Sequence, residues 1–193
     1  MTQVVRLSLV THGMTEAMAA GRFPADEPLN ALGRSQCASS AEQTHESPAH
    51  RRAGDLCVCS PEERTRQTAE LLGLDAQVEP RLSDLDCGRW RGELPIGLRS
   101  GELAELLADP GARPHGGESV VALTERVRGW LGDVSRSPGR ITAVTHPAIV
   151  RAAVLVALDA PPKSFWRIDV EPVSRTVLHF RDGGWTLRSG RHR

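Results

Sequence analysis

Two histidines and one arginine carry the chemistry legible in this chain. His12 lies in Val10-Thr11-His12-Gly13-Met14-Thr15, and His146 in Val144-Thr145-His146-Pro147. Each follows an apolar run and precedes a loop or helix. Between them comes Cys59-Ser60-Pro61-Glu62-Glu63-Arg64-Thr65-Arg66-Gln67-Thr68-Ala69. Arg64 would stand in the first turn of a helix, where the helix dipole disfavours a cation. A bound anion reverses that penalty, because helix N-termini and arginine both favour phosphate. Taken singly, each histidine also fits a satisfied core or surface residue. Arg64 also fits an exposed partner of Glu62 or Glu63, and Arg66 should point elsewhere and reads as structural. In this order, the three blocks predict a pocket that takes phosphate from a substrate onto a histidine.

The elements that must hold these residues follow from apolar patterning. Short apolar runs predict strands over 4–10, 56–59 and 141–144, a brief one at Val78, and closing strands over 170–173, 176–180 and 185–187. Asp182-Gly183-Gly184 suits a hairpin turn. Helices are predicted over 30–42, capped by Asn30, and from Ser60 to about Leu72. In the second, Ser60 serves as N-cap, Pro61 as first helical residue and Glu63 completes a capping box. Further helices are expected over 98–108, 118–134 and 147–158. Residues 44–54 read as polar and turn-rich, and 81–97 as irregular. Early alternation of strand and helix predicts an α/β fold, a three-layer sandwich with helices on both faces of a mostly parallel, mixed central sheet. One domain over 1–193 is expected. Ligands in such folds sit beyond the carboxyl ends of the strands, which is where His12 and His146 fall.

Composition narrows the partners. The 193 residues carry 24 basic and 24 acidic side chains, so phosphate recognition must be local rather than a property of the whole surface. Nucleic acid and anionic membranes are not expected as partners, and the absence of Tyr argues against platforms for stacking bases. The longest apolar stretch, 148–158, is interrupted by Arg151 and is too short to span a bilayer. The first residues lead directly into a strand, so no signal peptide is expected. Four cysteines, Cys37, Cys57, Cys59 and Cys87, read as reduced thiols and suit a cytoplasmic location.

The ordered motifs resemble the histidine phosphatase superfamily, in its phosphoglycerate mutase-like branch, from Val4 to Leu187. The family's Arg-His-Gly-x-Thr is matched by Thr11-His12-Gly13-Met14-Thr15, and its Pro-Leu-x-x-x-Gly by Pro28 to Gly33. Its Ser-Pro-x-x-Arg-x-x-Gln-Thr-Ala is matched by Ser60 to Ala69, the most specific block. Arg81-Leu82-Ser83-Asp84 with Gly88 and Trp90, Gly117-Glu118-Ser119, and His146 with Val150-Arg151 complete the set. The resemblance implies a phosphatase acting on a small phosphorylated substrate, with no cofactor and no metal. His12 would attack phosphorus through a neutral ring nitrogen, while an acceptor holds the other nitrogen and fixes the tautomer. Arg64 and a charged His146 would stabilise the transferring oxygens. Asp84 would protonate the leaving oxygen and later deprotonate water, which requires its pKa to be raised. Asp86 is the rival acid.

The departures from the family pattern cluster at the phosphate. Thr11 replaces the arginine before the nucleophile, Met18 aligns with an asparagine, and Pro147 replaces a glycine and has no N–H to donate. Thr11, Gly13 and Arg22 are the expected substrate contacts, with Arg22 a candidate replacement for the lost charge. Arg52 and His115 are weaker candidates on segments expected to be exposed. Three functional readings follow. The first is a phosphomonoesterase with a phosphohistidine intermediate. The second is a catalytically impaired phospho-ligand-binding or regulatory protein on the same fold. The third is a phosphoglycerate mutase-type phosphotransferase, against which the thinned anion pocket argues. A metal site built from His12, His146 and Asp84 is a residual alternative, although the histidines lack the close spacing of common metal motifs. Substrate specificity is expected to reside in residues 23–29, 86–116 and 163–166. No feature indicates a homo-oligomer, and Trp90, Trp130, Phe165 and Trp166 fit either a core or an interface.

Overall fold

In the computed structural model, residues 4–43, 55–137 and 139–189 are described. Arg52 and the turn-rich segment 44–54 lie outside them. Six strands form one sheet in the order β3-β2-β4-β1-β5-β6, where β1 is Val5–Thr11, β2 Leu56–Cys59, β3 Gln77–Val78, β4 Gly139–Thr145, β5 Arg175–Arg181 and β6 Gly184–Arg188. β1 to β4 run parallel to one another, and β5 and β6 add an antiparallel edge. The mixed, mostly parallel sheet is thus the one expected.

Side-chain alternation along β1 fixes the layers. Val5, Leu7 and Leu9 join the main core with Leu123, Val127, Trp130 and Leu131 of α5 (Val120–Val134) and Ile149, Ala152 and Ala153 of α6 (Pro147–Ala157). Val10, with Cys59 and Val144, faces the other way, onto Ala69 of α3 (Glu63–Leu71). α2 (Ala31–Gln43) packs on α3 and widens that layer. Each fully buried Leu or Val contributes about 1.5–3 kcal/mol relative to exposure, so both faces of the sheet are committed. Trp90, Trp130 and Phe165 are core residues, while Trp166 remains partly at the surface. Arg151, which breaks the apolar run of α6, donates to the Ile168 carbonyl at 2.8 Å and lies over the Phe165 and Trp166 rings.

Four local expectations change. Residues 170–173 form no strand: Val173 has φ 54, and the segment is tied as a turn below the end of β1. Ser60 does not cap α3. Its hydroxyl donates into the core, to Leu82 O at 2.5 Å, and lies 3.0 Å from Thr145 Oγ1. Glu62 takes the N-cap position without a side-chain cap bond, and the Glu63 N–H is received instead by Asp26 Oδ1 at 2.8 Å. The helix expected over 98–108 is α4 (Glu102–Ala108), which starts only after Gly101. A four-residue helix, α1 (Glu16–Ala19), capped by Thr15, was not legible in the patterning.

The loop after β1 is pressed against α2. A methyl group at Gly33 would lie 2.1 Å from the Met14 carbonyl oxygen, and one at Gly13 would lie 2.7 Å from that of Gly33. Gly33→Ala should therefore destabilise the protein by about 1–3 kcal/mol, although alanine is the better helix former by about 1 kcal/mol. Urea midpoints at constant m-value check this, and an unchanged or raised midpoint would contradict the close approach.

Candidate active site

Strand register brings the two histidines together. β1 and β4 are neighbours with Thr11 opposite Thr145, so the next residues, His12 and His146, leave the sheet side by side. The His12 N–H donates to the Thr145 carbonyl at 3.0 Å, and the two ring centroids are 5.2 Å apart. Both side chains are buried, His12 with 3% exposure and His146 with none.

His12 Nδ1 lies 2.8 Å from the Gly13 carbonyl oxygen. A carbonyl only accepts, so Nδ1 carries the proton and Nε2 keeps its lone pair. Burial, then the charges of His146 and Arg64, push the ring's pKa down to about 3. The imidazole is therefore neutral at neutral pH, as a nucleophile requires. The unfolded ring titrates near 6.5, so between that pH and about 3 the unfolded state holds more protons. Stability then falls as pH drops through this window, by about 2 kcal/mol at pH 5. Urea unfolding at pH 7 and 5 should show a smaller loss for His12→Gln than for the natural protein.

Arg64, in the first turn of α3, is 1% exposed rather than a surface partner of its neighbours. One of its terminal nitrogens donates to the Ala25 carbonyl at 2.6 Å, the other to Asp84 Oδ2 at 2.8 Å. Glu27 lies 3.9 Å from the same guanidinium. Asp84 Oδ2 also lies 3.4 Å from His146 Nδ1. Arg66 is exposed.

The electrostatics of Asp84 reverse the expectation. Burial pushes its pKa up, but His146, Arg64 and His12 together outweigh burial and hold it below the usual carboxylate range. In this arrangement Asp84 is ionised, paired with the Arg64 guanidinium and beside the His146 ring. Asp86 is removed from the histidines: it accepts from the Gly88 N–H and pairs with Arg91.

The three expected substrate contacts each have partners within the protein. Thr11 Oγ1 donates to the Glu171 carbonyl at 2.6 Å and accepts from the Ser174 N–H at 3.0 Å, so it fastens the 171–174 turn to β1. The Gly13 N–H donates to Thr68 Oγ1, and its carbonyl orients His12. Arg22 is exposed, with its guanidinium on the Gly92 carbonyl. His115, expected at the surface, is instead buried against Trp90 with its Nδ1 accepting from Gly117 N–H. Met18 lies within α1, and Pro147 is the first residue of α6, where its missing N–H costs no helical bond.

Two contributions escaped sequence reasoning. Glu62 Oε2 lies 2.9 Å from His146 Nε2, and Oε1 accepts from the Asp84 N–H at 3.0 Å. Burial pushes the Glu62 carboxyl up, but bonding to His146 and the Asp84 N–H leaves it below its ordinary value. Arg126 of α5 donates to the carbonyls of Arg81 and Ser83 and forks onto Glu118, which clamps the loop carrying Asp84. Only its position in the helical pattern marked Arg126, and nothing in the spacing singled out Glu62. A cleft of about 640 Å³, lined by Glu62, Arg64, Asp84, Arg91 and Arg126 among others, opens beside the site.

A doubly layered α/β sheet with a buried histidine pair and an arginine at its carboxyl end defines the class. The chain belongs to the histidine phosphatase superfamily, branch 1, which it matches over residues 7–191. It is 28% identical to phosphoserine phosphatase 1 of Hydrogenobacter thermophilus, over 93% of this chain and 88% of that one. It is 29% identical to the adenosylcobalamin/alpha-ribazole phosphatase of Salmonella typhimurium, over 95% of both chains. Among solved structures, the mycobacterial glucosyl-3-phosphoglycerate phosphatase with bound VO3 superposes with TM-score 0.81 at 25% identity, covering 95% of this chain and 96% of that chain. The protein is thereby a phosphoric monoester hydrolase of the histidine phosphatase type, in a phosphoglycerate mutase-like fold. Among the described residues, no helix is long and apolar enough to cross a membrane.

Proposed function

We propose that the protein hydrolyses a small phosphomonoester by passing its phosphoryl group through Nε2 of His12. The observation that carries this reading is the Nδ1 bond to Gly13, which leaves a neutral ring with its lone pair on Nε2 beside His146. Nε2 attacks phosphorus, the ester P–O bond breaks, and the leaving oxygen takes a proton. Water then attacks the phosphohistidine, the N–P bond breaks, and inorganic phosphate leaves. Arg64 and His146 oppose the charge on the transferring oxygens. Asp84 handles the proton. It starts ionised, takes up a proton from solvent as the arriving phosphoryl dianion raises its pKa, gives that proton to the leaving oxygen, and later receives one from the attacking water. Arg22 and Thr11 have no part in this scheme, and Gly13 acts through its carbonyl on His12. The four thiols, with no disulfide among the described residues, favour a cytoplasmic location for this chemistry.

A second reading has its own support. Arg64 and His146 are each already paired with a carboxylate, and the hydroxyl of Thr11 is spent on backbone. A phospho-ligand-binding protein with little turnover would look like this. Phosphate release from an aryl phosphate, phosphoserine and alpha-ribazole phosphate, measured with EDTA present, separates the two. Release well above background supports hydrolysis, and binding of these esters without release supports the second reading.

A further inference from the structure

We propose that Glu62 is the resident anion of the phosphoryl site: its carboxylate holds His146 Nε2 until a substrate phosphoryl group displaces it. Phosphate affinity is then set by this displacement. The inference rests on the reading of this pocket as a phosphoryl site and names the residue that competes for it.

The two oxygens of Glu62 occupy the donors a phosphoryl group would use. Oε2 receives the N–H at Nε2 of a fully buried imidazole, and Oε1 receives the main-chain N–H of Asp84. Two acceptor oxygens on adjacent donors mimic two oxygens of a phosphate. Beyond these two, the carboxylate is also held by its own main-chain N–H, a local bond that does not tie it to another element. Glu62 stands at the N-cap of α3 without capping it, because Asp26 receives the Glu63 N–H from another loop. Its side chain is 18% exposed and lines the cleft, so it has a route out of the site. Arg64 is the contrast: it is held by both Ala25 and Asp84 at 1% exposure and stays in place. When Glu62 swings away, His146 keeps Asp84 at its other nitrogen, 3.4 Å distant. The ring is therefore not left without a carboxylate, and its Nε2 donor turns to the incoming oxygen.

The test is the dissociation constant of inorganic phosphate, by titration calorimetry at pH 7, for the natural protein, Glu62→Ala and Glu62→Gln. Removing a charge-assisted bond that phosphate must break should tighten binding about tenfold in Glu62→Ala. Glu62→Gln, which can still accept from His146 but carries no charge, should fall between. The KM for an aryl phosphate should drop with the same ranking. A residue that merely orients His146 gives the opposite order, weaker binding in Glu62→Ala restored by Glu62→Gln. Equal or weaker binding in Glu62→Ala overturns the proposal, as does failure of all three proteins to bind phosphate. Tighter binding without any turnover leaves the proposal standing and removes only the phosphatase reading.

Discussion

The His12→Ala protein should bind phosphate esters yet release phosphate more slowly by a factor of about 10³–10⁶, the range spanned when a catalytic nucleophile is removed from a preorganised site. The loss falls on kcat, because the ring makes its decisive contact with phosphorus in the transition state. The fold should persist. The backbone N–H of residue 12 bonds to Thr145 irrespective of its side chain, and the two β1–β4 partners are otherwise unchanged. Removing a ring held neutral by burial also removes the acid-sensitivity that His12 imposes. A phosphoenzyme trapped by rapid quench should carry acid-labile, base-stable label in the natural protein and none in His12→Ala. Turnover at the natural rate in the variant would eliminate His12 as nucleophile. Label retained on another residue would relocate it.

Arg64→Met should be costly twice over. The side chain is 1% exposed and faces Asp84 at 2.8 Å, with Glu27 behind it. Its removal leaves Asp84 with His146 and the Leu85 N–H as partners in a buried setting. Breaking such a pair typically destabilises by about 3–5 kcal/mol, because one charge is left uncompensated. Turnover should also fall by about 10²–10³, the effect of losing one donor to the developing charge. A second substitution separates these effects. In Arg64→Met/Asp84→Asn the stranded charge is gone, so most of the lost stability should return, while turnover should stay below that of Asp84→Asn alone. Urea midpoints and kcat/KM measured on the same preparations decide it. Recovery of both together would mean that Arg64 only holds the fold. Arg64→Lys should not rescue turnover either, since one ammonium cannot reach Ala25 and Asp84 in the planar geometry of the guanidinium.

The sheet and its two helical layers were legible because apolar runs and their period report burial directly. Val5 to Val10 and Ile141 to Val144 read as two-faced buried strands, and they are the two central ones. The pairing of His12 with His146 was legible as a consequence of strand ends, given that β1 and β4 are adjacent. What failed was local chemistry that a tertiary partner redirected. Ser60-Pro61-x-Glu63 satisfies every local rule for a cap, yet Leu82 and Thr145 offer the Ser60 hydroxyl a buried set of partners, and Asp26 supplies the cap from elsewhere. Thr11 and Gly13 sit at the right sequence positions for substrate, but Glu171 and Thr68, far away in the chain, engage them. Val170 to Val173 has strand propensity, but the place beside β1 is already taken by β5. Glu62 carried no pattern at all, because its importance lies in where His146 arrives. The reversed pKa of Asp84 has the same origin: burial could be guessed, but not that Arg64 and both histidines converge on one carboxylate.

The adjacency of β1 and β4 also bears on how the chain comes off the ribosome. β1 is made well before its central partner β4, which follows only after α5. Until then β1 has neither neighbour, since β4 and β5 both lie late in the sequence. A buried, nearly continuous apolar strand must therefore wait through most of synthesis with both edges open, a state prone to mispairing. Pairing across so long a loop is also entropically slow. The strand order that sets the two histidines side by side thus also leaves β1 unpaired through most of synthesis.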